Sequence, residues 1–183
     1  MTLGSLLDAT GTTVHAVASH VAGLSQAESL GECLALSAAQ QKRLWELATS
    51  APAAQAGELV ADTTATFAGR NSLRLFTRFE KWFAQQDHAI VGCNRHALSP
   101  LIGPGYFTVR NDGSPMLEFD YSTVPAEAPP GWPLIKQNSG LARPVYGDLL
   151  DKVVWISPDV LIGAAFRGGS PLGSYFVLVR TTR

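Results

Sequence analysis

The pattern of hydrophobic and polar positions is most regular at the C-terminal end, in residues 152–183. Three apolar segments, rich in β-branched and aromatic residues, are separated there by two turn sequences. Such residues suit a pleated, half-buried surface. The turn sequences are Ser-Pro-Asp at residues 157–159 and Gly-Gly-Ser-Pro at residues 168–171, both of which interrupt regular structure. The pattern predicts an antiparallel meander of three strands.

Neither face of this meander is polar. Side chains alternate along a strand, so Val153 and Trp155 point to one face while Val154 and Ile156 point to the other. An antiparallel sheet with one solvated face would show polar residues on that face. We therefore expect cover on both sides, by a barrel interior on one face and by helices on the other. The small residues 163–165 predict a backbone that curves or is closely approached.

The run of residues 152–181 resembles the closing strands of lipocalin-like barrels, and most of all those of the plastid lipid-associated (fibrillin-type) proteins. Those proteins combine a strand, an acidic turn and a strand with an ending of the type Gly-x-Phe-Val-Leu, and this chain ends Gly-Ser-Tyr-Phe-Val-Leu at residues 173–178. Leu161 stands where that family tends to carry arginine. The Gly-x-Trp signature of secreted lipocalins is absent at Trp45 and Trp82. The resemblance implies a barrel that binds lipid-type ligands.

The N-terminal part of the chain, residues 1–66, is rich in alanine and predicts helices. Ser25 and Glu28 have the spacing of a capping box, and Ser37 is placed to cap the helix that follows. The predicted helices are residues 14–22, 25–36, 38–49 and, with a weaker pattern, 55–61.

Residues 71–86 carry bulky apolar side chains at helical spacing. Leu75, Phe79, Trp82 and Phe83 form one stripe that extends to Gln86, which indicates an amphipathic helix. A strand over residues 73–79 is the alternative, but its alternation fails at residues 75–76 and 82–83. We predict a helix that covers one end of a barrel. The helical segment is accordingly placed at residues 1–86 and the barrel at 87–183, as one structural unit.

From residue 88 onward the pattern is that of short strands. Asn-Asp-Gly at residues 111–113 predicts a hairpin turn, and residues 123–132 form a proline-rich loop. The predicted strands are residues 88–94, 106–110, 116–121, 133–136 and 143–146, followed by the terminal meander. Such regular short strands are typical of a barrel. The predicted fold class is α+β, with N-terminal helices packed on an antiparallel lipocalin-like β-barrel or strongly curved sheet.

The amino-acid composition argues against several classes of protein. The 14 basic residues are scattered and matched by 15 acidic ones, so the chain lacks the basic footprint of a nucleic-acid-binding protein. The apolar fraction of 46% with 16% charged residues is ordinary for a globular domain, and the low charge favours a compact monomer or a homodimer. We expect Cys33 and Cys93 to be reduced. No signal peptide or membrane-spanning run is seen, so a cytoplasmic location is expected.

No catalytic signature is present, and the sequence predicts neither a cofactor nor a metal site. Cys93 and His96 lie in a polar cluster after a strand, which is either a nucleophile with its base or a strand end that bonds to the next loop. Glu118 and Asp120 share one strand face, either for acid–base chemistry or as a solvated outer face.

Arg180 is the strongest candidate for a binding residue. It follows Phe176 and Leu178 on one face of the last strand, so an inward arginine would bind a ligand carboxylate. Stacking on Trp155 or closure of the barrel floor is the equal alternative, and Arg110 is a weaker version of the same idea. The candidate ligand-binding residues are Tyr106, Phe119, Tyr121, Trp155, Phe176 and Arg180.

Three functional hypotheses follow. The first is binding of a small hydrophobic, lipid-like molecule, with or without a carboxylate, in a barrel cavity. The second is an enzyme in which at least three candidate polar residues meet in one cleft. These candidates are Arg95, His96, Glu118, Asp120 and Arg180. The third is an interaction module that uses the N-terminal helices.

Overall fold

The computed structural model describes residues 1–51, 56–73, 77–97, 99, 103–135 and 143–181 of the 183-residue chain. Four helices come first: α1 (Leu3–Asp8), α2 (Val14–Ala22), α3 (Gln26–Cys33) and α4 (Ala38–Ser50). Five strands follow: β1 (Thr64–Asn71), β2 (Arg78–Gln86), β3 (Ala89–Arg95), β4 (Gly105–Arg110) and β5 (Met116–Asp120). The one-turn helix α5 (Arg143–Tyr146) precedes β6 (Leu149–Ser157), β7 (Val160–Arg167) and β8 (Ser170–Arg180).

The eight strands form a closed barrel in which each strand pairs with its neighbour in the chain, and β1 pairs with β8. All eight pairings are antiparallel. This is the up-and-down order of lipocalin-type barrels. The predicted fold class, helices packed on an antiparallel barrel, is confirmed.

The terminal meander forms as predicted, and both of its faces are covered. Val153, Trp155 and Leu161 belong to the apolar cluster inside the barrel. The alternate residues pack under the N-terminal helices. They are Val154, Ile156, Val160, Ile162, Val177 and Val179. Because both faces of the meander are buried, neither face carries a row of polar residues in the sequence.

The predicted helix at residues 14–22 is confirmed, and the other helices differ slightly in length. Ser25 and Glu28 make the expected capping box, but the helix ends at Cys33. Ser37 caps α4, which extends to Ser50. The weak helix prediction at residues 55–61 is wrong for its described part, residues 56–61, which contains no helix; residue 55 lies outside the described residues.

The helix predicted at residues 71–86 is wrong. Asn71 ends β1, and most of the segment is strand β2; Leu75 lies outside the described residues. The alternation was hidden because both faces of β2 are covered. Phe83 points into the barrel, while Trp82 packs against Trp132 of the proline-rich loop, with ring centroids 5.7 Å apart. The barrel therefore begins at residue 64, not at residue 87.

Two further strand predictions are wrong. Arg143–Tyr146 is the helix α5. Residues 133–135 form no strand, and residue 136 lies outside the described residues. The remaining predicted strands correspond to β3, β4 and β5 with shifts of one or two residues at their ends.

Aromatic side chains fill the middle of the barrel. The ring of Phe83 lies 5.6 Å from that of Phe107 and 5.4 Å from that of Phe119, centroid to centroid. Glycines make room for such rings: a Cβ at Gly163 would collide with the ring of Phe176. The close approach predicted from residues 163–165 is thus confirmed at Gly163.

Candidate ligand site at the barrel mouth

A lysine lies inside the barrel. Lys81, in the middle of β2, has a side chain that is 1% exposed. Its ammonium group donates three hydrogen bonds: 2.6 Å to Tyr121 Oη, 2.7 Å to Asn94 Oδ1 and 3.1 Å to Asp151 Oδ2. Every proton of the ammonium group thus has an acceptor, as a buried cation requires.

The partners come from separate parts of the barrel wall. Asn94 is opposite Lys81 in the β2–β3 register, Tyr121 follows β5, and Asp151 lies on β6. In a closed barrel of eight strands, β2 and β6 are four strands apart in either direction. The Lys81–Asp151 ion pair therefore joins opposite walls across the interior.

Tyr121 connects the members of the cluster. Its hydroxyl accepts from Lys81 and from Asn94 Nδ2 at 2.8 Å, and donates to Asp151 Oδ2 at 3.0 Å. The bonds that Lys81 and Tyr121 donate to the Asp151 carboxylate both end on Oδ2. Asp151 therefore holds the two other groups through a single oxygen atom.

Aromatic rings surround the Lys81 ammonium group. Its Nζ lies 4.8 Å from the Phe107 ring centroid and 5.1 Å from that of Phe176. Three further rings lie within 5.6 Å: Phe79, Phe119 and Tyr121. Ring faces attract a cation, most strongly where water is excluded.

The cluster has shifted acid–base properties. Burial lowers the pKa of Lys81, and the nearby Asp151 carboxylate opposes that shift only in part. Burial, together with Asp151, raises the pKa of Tyr121 well above its usual value. The Tyr121 hydroxyl therefore stays protonated at neutral pH and donates a hydrogen bond to Asp151. Shifts of this kind, at a specific charge partner and beside a pocket, are typical of functional sites.

A pocket of about 230 Å³ opens at this end of the barrel, which we call the mouth. The cluster residues Lys81, Asn94, Tyr121 and Asp151 contribute to its wall. The remaining lining is mostly apolar and comes from the strands, the loops and α5. It consists of Asn71, Leu73, Phe79, His96, Val145, Tyr146, Leu149, Ala165, Arg167, Leu172, Ser174 and Phe176.

Helix α5 covers part of the mouth. The ring of Tyr146 stacks on that of Tyr121, with an interplanar angle of 8° and centroids 5.7 Å apart. Its hydroxyl lies 3.0 Å from His96 Nε2, and Arg167 donates to the carbonyl of Val145 at 3.0 Å. Burial lowers the pKa of His96. The side of the mouth formed by α5 is thus fixed by stacking and by two polar contacts.

The predicted ligand-binding residues separate into three groups. Tyr121 and Phe176 line the mouth pocket. Phe119 lies deeper, stacked on Phe107, and Trp155 lies inside the barrel, beside Gly57. Tyr106 does not face the interior: its neighbour Phe107 does, while the Tyr106 hydroxyl donates to the carbonyl of Pro133 under the proline-rich loop.

Arg180 points inward, as the strand pattern predicted, but at the end opposite the mouth, which we call the floor. Its Nε donates to Asp159 Oδ1 at 2.9 Å, and its other nitrogens donate to the carbonyls of Glu58 and Leu59. The guanidinium lies 4.6 Å from the ring centroid of Phe67, not on Trp155. Of the two alternatives, the contacts match closure of the floor.

The residues considered for an enzyme do not converge. His96 is at the mouth and Arg180 at the floor. Arg95 stacks on the outer Trp82. Glu118 pairs with Lys152 on the outer face, where Asp120 also binds the exposed Arg110. Burial raises the pKa of Cys93 to about 12, so this thiol is not a ready nucleophile.

Sequence reasoning missed Lys81, Asn94 and Asp151. A signal for Lys81 was present, since it alternates with Phe79 and Phe83 when residues 78–86 are taken as a strand. The helix interpretation placed Lys81 away from the apolar stripe instead. Asp151 precedes the segment from which the meander was predicted.

Other kinds of site find no support within the part of the chain that the structure describes. It holds no group of three or more residues arranged to bind a metal ion. None of its helices is long and apolar enough to cross a membrane. Comparison with protein-family models, with curated proteins and with solved structures finds no match to this chain.

Proposed function

We propose that the protein binds a small molecule with an apolar body and one polar group in the mouth pocket. The observation that supports this most strongly is the placement of the Lys81–Tyr121–Asp151 cluster in the wall of a mostly apolar pocket. Ligand sites commonly combine an apolar lining with a few convergent polar groups. Burying a lysine is costly, of the order of several kcal/mol per ion, and packing alone does not require a charge at this position.

The size of the pocket limits the ligand. An apolar cavity of about 150 Å³ holds one benzene molecule, and the mouth pocket measures about 230 Å³. The pocket therefore suits a substituted ring or a short branched chain. A long acyl chain would have to enter the barrel, where Phe83, Phe107 and Phe119 already pack against one another. The lipid-like ligand expected from the sequence is thus replaced by a more compact one.

The polar end of the ligand is assigned to the cluster and not to Arg180. Arg180 is held by Asp159 and by two backbone carbonyls at the floor, away from the pocket. At the mouth, the Asp151 carboxylate can accept from a ligand hydroxyl, and the hydroxyl of Ser174 can donate to a ligand carbonyl. An anionic ligand would meet both Lys81 and Asp151, so its net attraction would be small.

A matched pair of variants tests the location of the site. Ala165 lines the mouth pocket, whereas Ala97 lines a wider and more open groove on the outer surface. With 4-ethylbenzyl alcohol as probe and titration calorimetry as readout, Ala165→Leu should weaken binding at least about fivefold, since overpacking costs about 1 kcal/mol or more. Ala97→Leu should leave the affinity unchanged.

Two outcomes would contradict the proposal. One is unchanged probe binding in Ala165→Leu, and the other is an equal loss of binding in both variants. Native mass spectrometry of the protein purified from its own host would then identify the natural ligand, which should be lost from Ala165→Leu and retained by Ala97→Leu.

A further inference from the structure

We propose that the mouth pocket takes an aldehyde or ketone and that Lys81 Nζ forms an imine with its carbonyl carbon. This inference rests on the proposed binding function and names the chemical class of the ligand. It adds a covalent step that simple binding does not require.

The position of Lys81 distinguishes it from the other described lysines. Lys81 contributes to the wall of the pocket, so a bound carbonyl group lies within reach of the four-carbon side chain. Lys42 and Lys152 lie on the outside of the molecule, with side chains 59% and 34% exposed. Of the three lysines in the described part of the chain, Lys81 alone lines this pocket.

The neighbouring groups provide a route for protons. Asp151 Oδ2 lies 3.1 Å from Lys81 Nζ and 3.0 Å from the Tyr121 hydroxyl, which itself lies 2.6 Å from Nζ. These three contacts form a closed triangle. A proton can pass from the amine to the carboxylate and back to the reacting oxygen without leaving the pocket, which is the geometry that general acid–base catalysis needs.

The step balances within the site. The ammonium gives one proton to Asp151, and the amine lone pair then attacks the carbonyl carbon to form a carbinolamine. Asp151 returns that proton to the carbinolamine oxygen, a second nitrogen proton follows through Tyr121 and Asp151, and the oxygen leaves as water. The overall change is ammonium plus carbonyl compound to protonated imine plus water, with no oxidant, reductant or net proton required.

The surroundings suit both the reactant and the product. Before and after the step, one positive charge lies beside Asp151 and within the five aromatic rings, so the electrostatic balance of the interior is preserved. Burial lowers the pKa of Lys81, which increases the fraction of free amine at a given pH. Lys81 is 1% exposed and lies among aromatic rings, which limits the access of water to the imine once it has formed.

Reductive trapping tests the proposal directly. Protein is incubated with 4-ethylbenzaldehyde and sodium cyanoborohydride, digested and mapped by mass spectrometry. The expected result is a secondary-amine adduct at Lys81, at a yield at least about tenfold above that at Lys42 or Lys152, because the pocket would hold the aldehyde beside this amine and raise its effective concentration there. An excess of 4-ethylbenzyl alcohol should suppress the adduct at Lys81 only.

Two variants serve as a matched pair. Lys81→Arg keeps a cation for Asp151 but cannot form an imine, so the Lys81 adduct should be absent and no other site should replace it. Lys152→Arg should leave the Lys81 adduct unchanged. Mapping of the wild-type chain with alcohol competition needs no variant, so the test stands even if Lys81→Arg folds poorly.

The outcomes separate this inference from the binding proposal. If 4-ethylbenzyl alcohol binds and Ala165→Leu weakens it, but the aldehyde gives no preferential adduct at Lys81, the imine is ruled out while binding stands. If the alcohol does not bind and labelling follows lysine exposure, both proposals fail together.

Discussion

The two ends of the barrel hold similar chemical groups in different settings. At the floor, Arg180 pairs with Asp159 and lies over the Phe67 ring. At the mouth, Lys81 pairs with Asp151 inside five aromatic rings. Arg180 also binds two backbone carbonyls and closes its end of the barrel. Lys81 binds only side chains, and a pocket lies beside it.

The difference shows that an inward charge does not by itself mark a binding site. The planar guanidinium forms several directed bonds at once and suits fixed backbone acceptors. The ammonium group is a compact charge on a flexible stem, and its pKa shifts readily when it is buried. The mouth therefore has the cation whose pKa is lowered by burial, and the floor has the cation that is fixed by backbone carbonyls.

The largest expected effect is at the mouth. Asp151→Ala would leave the Lys81 ammonium buried without its carboxylate, and we expect a loss of about 3–5 kcal/mol in the free energy of unfolding, measured with urea. Glu118→Ala is the control, because its half-buried pair with Lys152 should contribute no more than about 1 kcal/mol. Equal losses in the two variants would mean that Lys81 does not depend on Asp151.

The corresponding change at the floor should be smaller. Arg180→Met leaves the carbonyls of Glu58 and Leu59 without this donor, but the side chain of Asp159 is 38% exposed and remains hydrated. We expect a loss of about 2–3 kcal/mol, with the affinity for 4-ethylbenzyl alcohol unchanged in calorimetry. A variant that folds but has lost probe binding would show that the two ends are coupled.

The layer between the two ends gives the next effect. Gly163→Ala places a methyl group against the Phe176 ring, and overpacking of this kind costs about 1–3 kcal/mol. Because Phe176 also lines the pocket, probe affinity should fall as well. Loss of stability with full probe binding would show that Phe176 moves away from the pocket.

The smallest effect concerns pH and the α5 side of the mouth. Burial lowers the pKa of His96 below its usual value of about 6.5. Near that pH the unfolded chain therefore binds more protons than the folded chain. The contribution of His96 is present above pH 6.5 and is lost as the pH falls through the folded-state pKa. Urea unfolding should show a larger loss between about pH 7 and about pH 5 for wild type than for His96→Gln. If the free energy of unfolding falls equally in the two proteins, His96 does not contribute to this pH dependence.

The sequence predicted best where turn sequences bound short apolar runs, as they do at residues 157–159 and 168–171. Val153, Trp155, Val154 and Ile156 alternate without interruption, so the terminal meander and its cover on both sides follow from strand geometry. The helix caps at the starts of α3 and α4 could also be predicted from the sequence, because they depend on residues only three positions apart.

The candidate site was less predictable because it depends on contacts distant in sequence. Lys81 and Asp151 are brought together only when the barrel closes. The strand pattern indicated an inward direction for Arg180. Its bond to Asp159 could not be predicted, because it depends on how the β6–β7 turn lies against β8. Trp132 comes from a loop without regular structure and covers Trp82 on the outer face of β2. Because that face also carries a large apolar residue, the sequence of β2 resembles that of a helix.

The closure of β1 on β8 also determines when the chain can fold. Helices α2, α3 and α4 pack on β6, β7 and β8, so the segments synthesised first rest on those synthesised last. At typical translation rates, the delay between α4 and β6 is on the order of ten seconds. Throughout that delay no sheet covers Val17 and Leu44. A nascent chain released before residue 149 would expose the apolar face of these helices to other chains. The helices can therefore complete their packing only after β6, β7 and β8 have been synthesised.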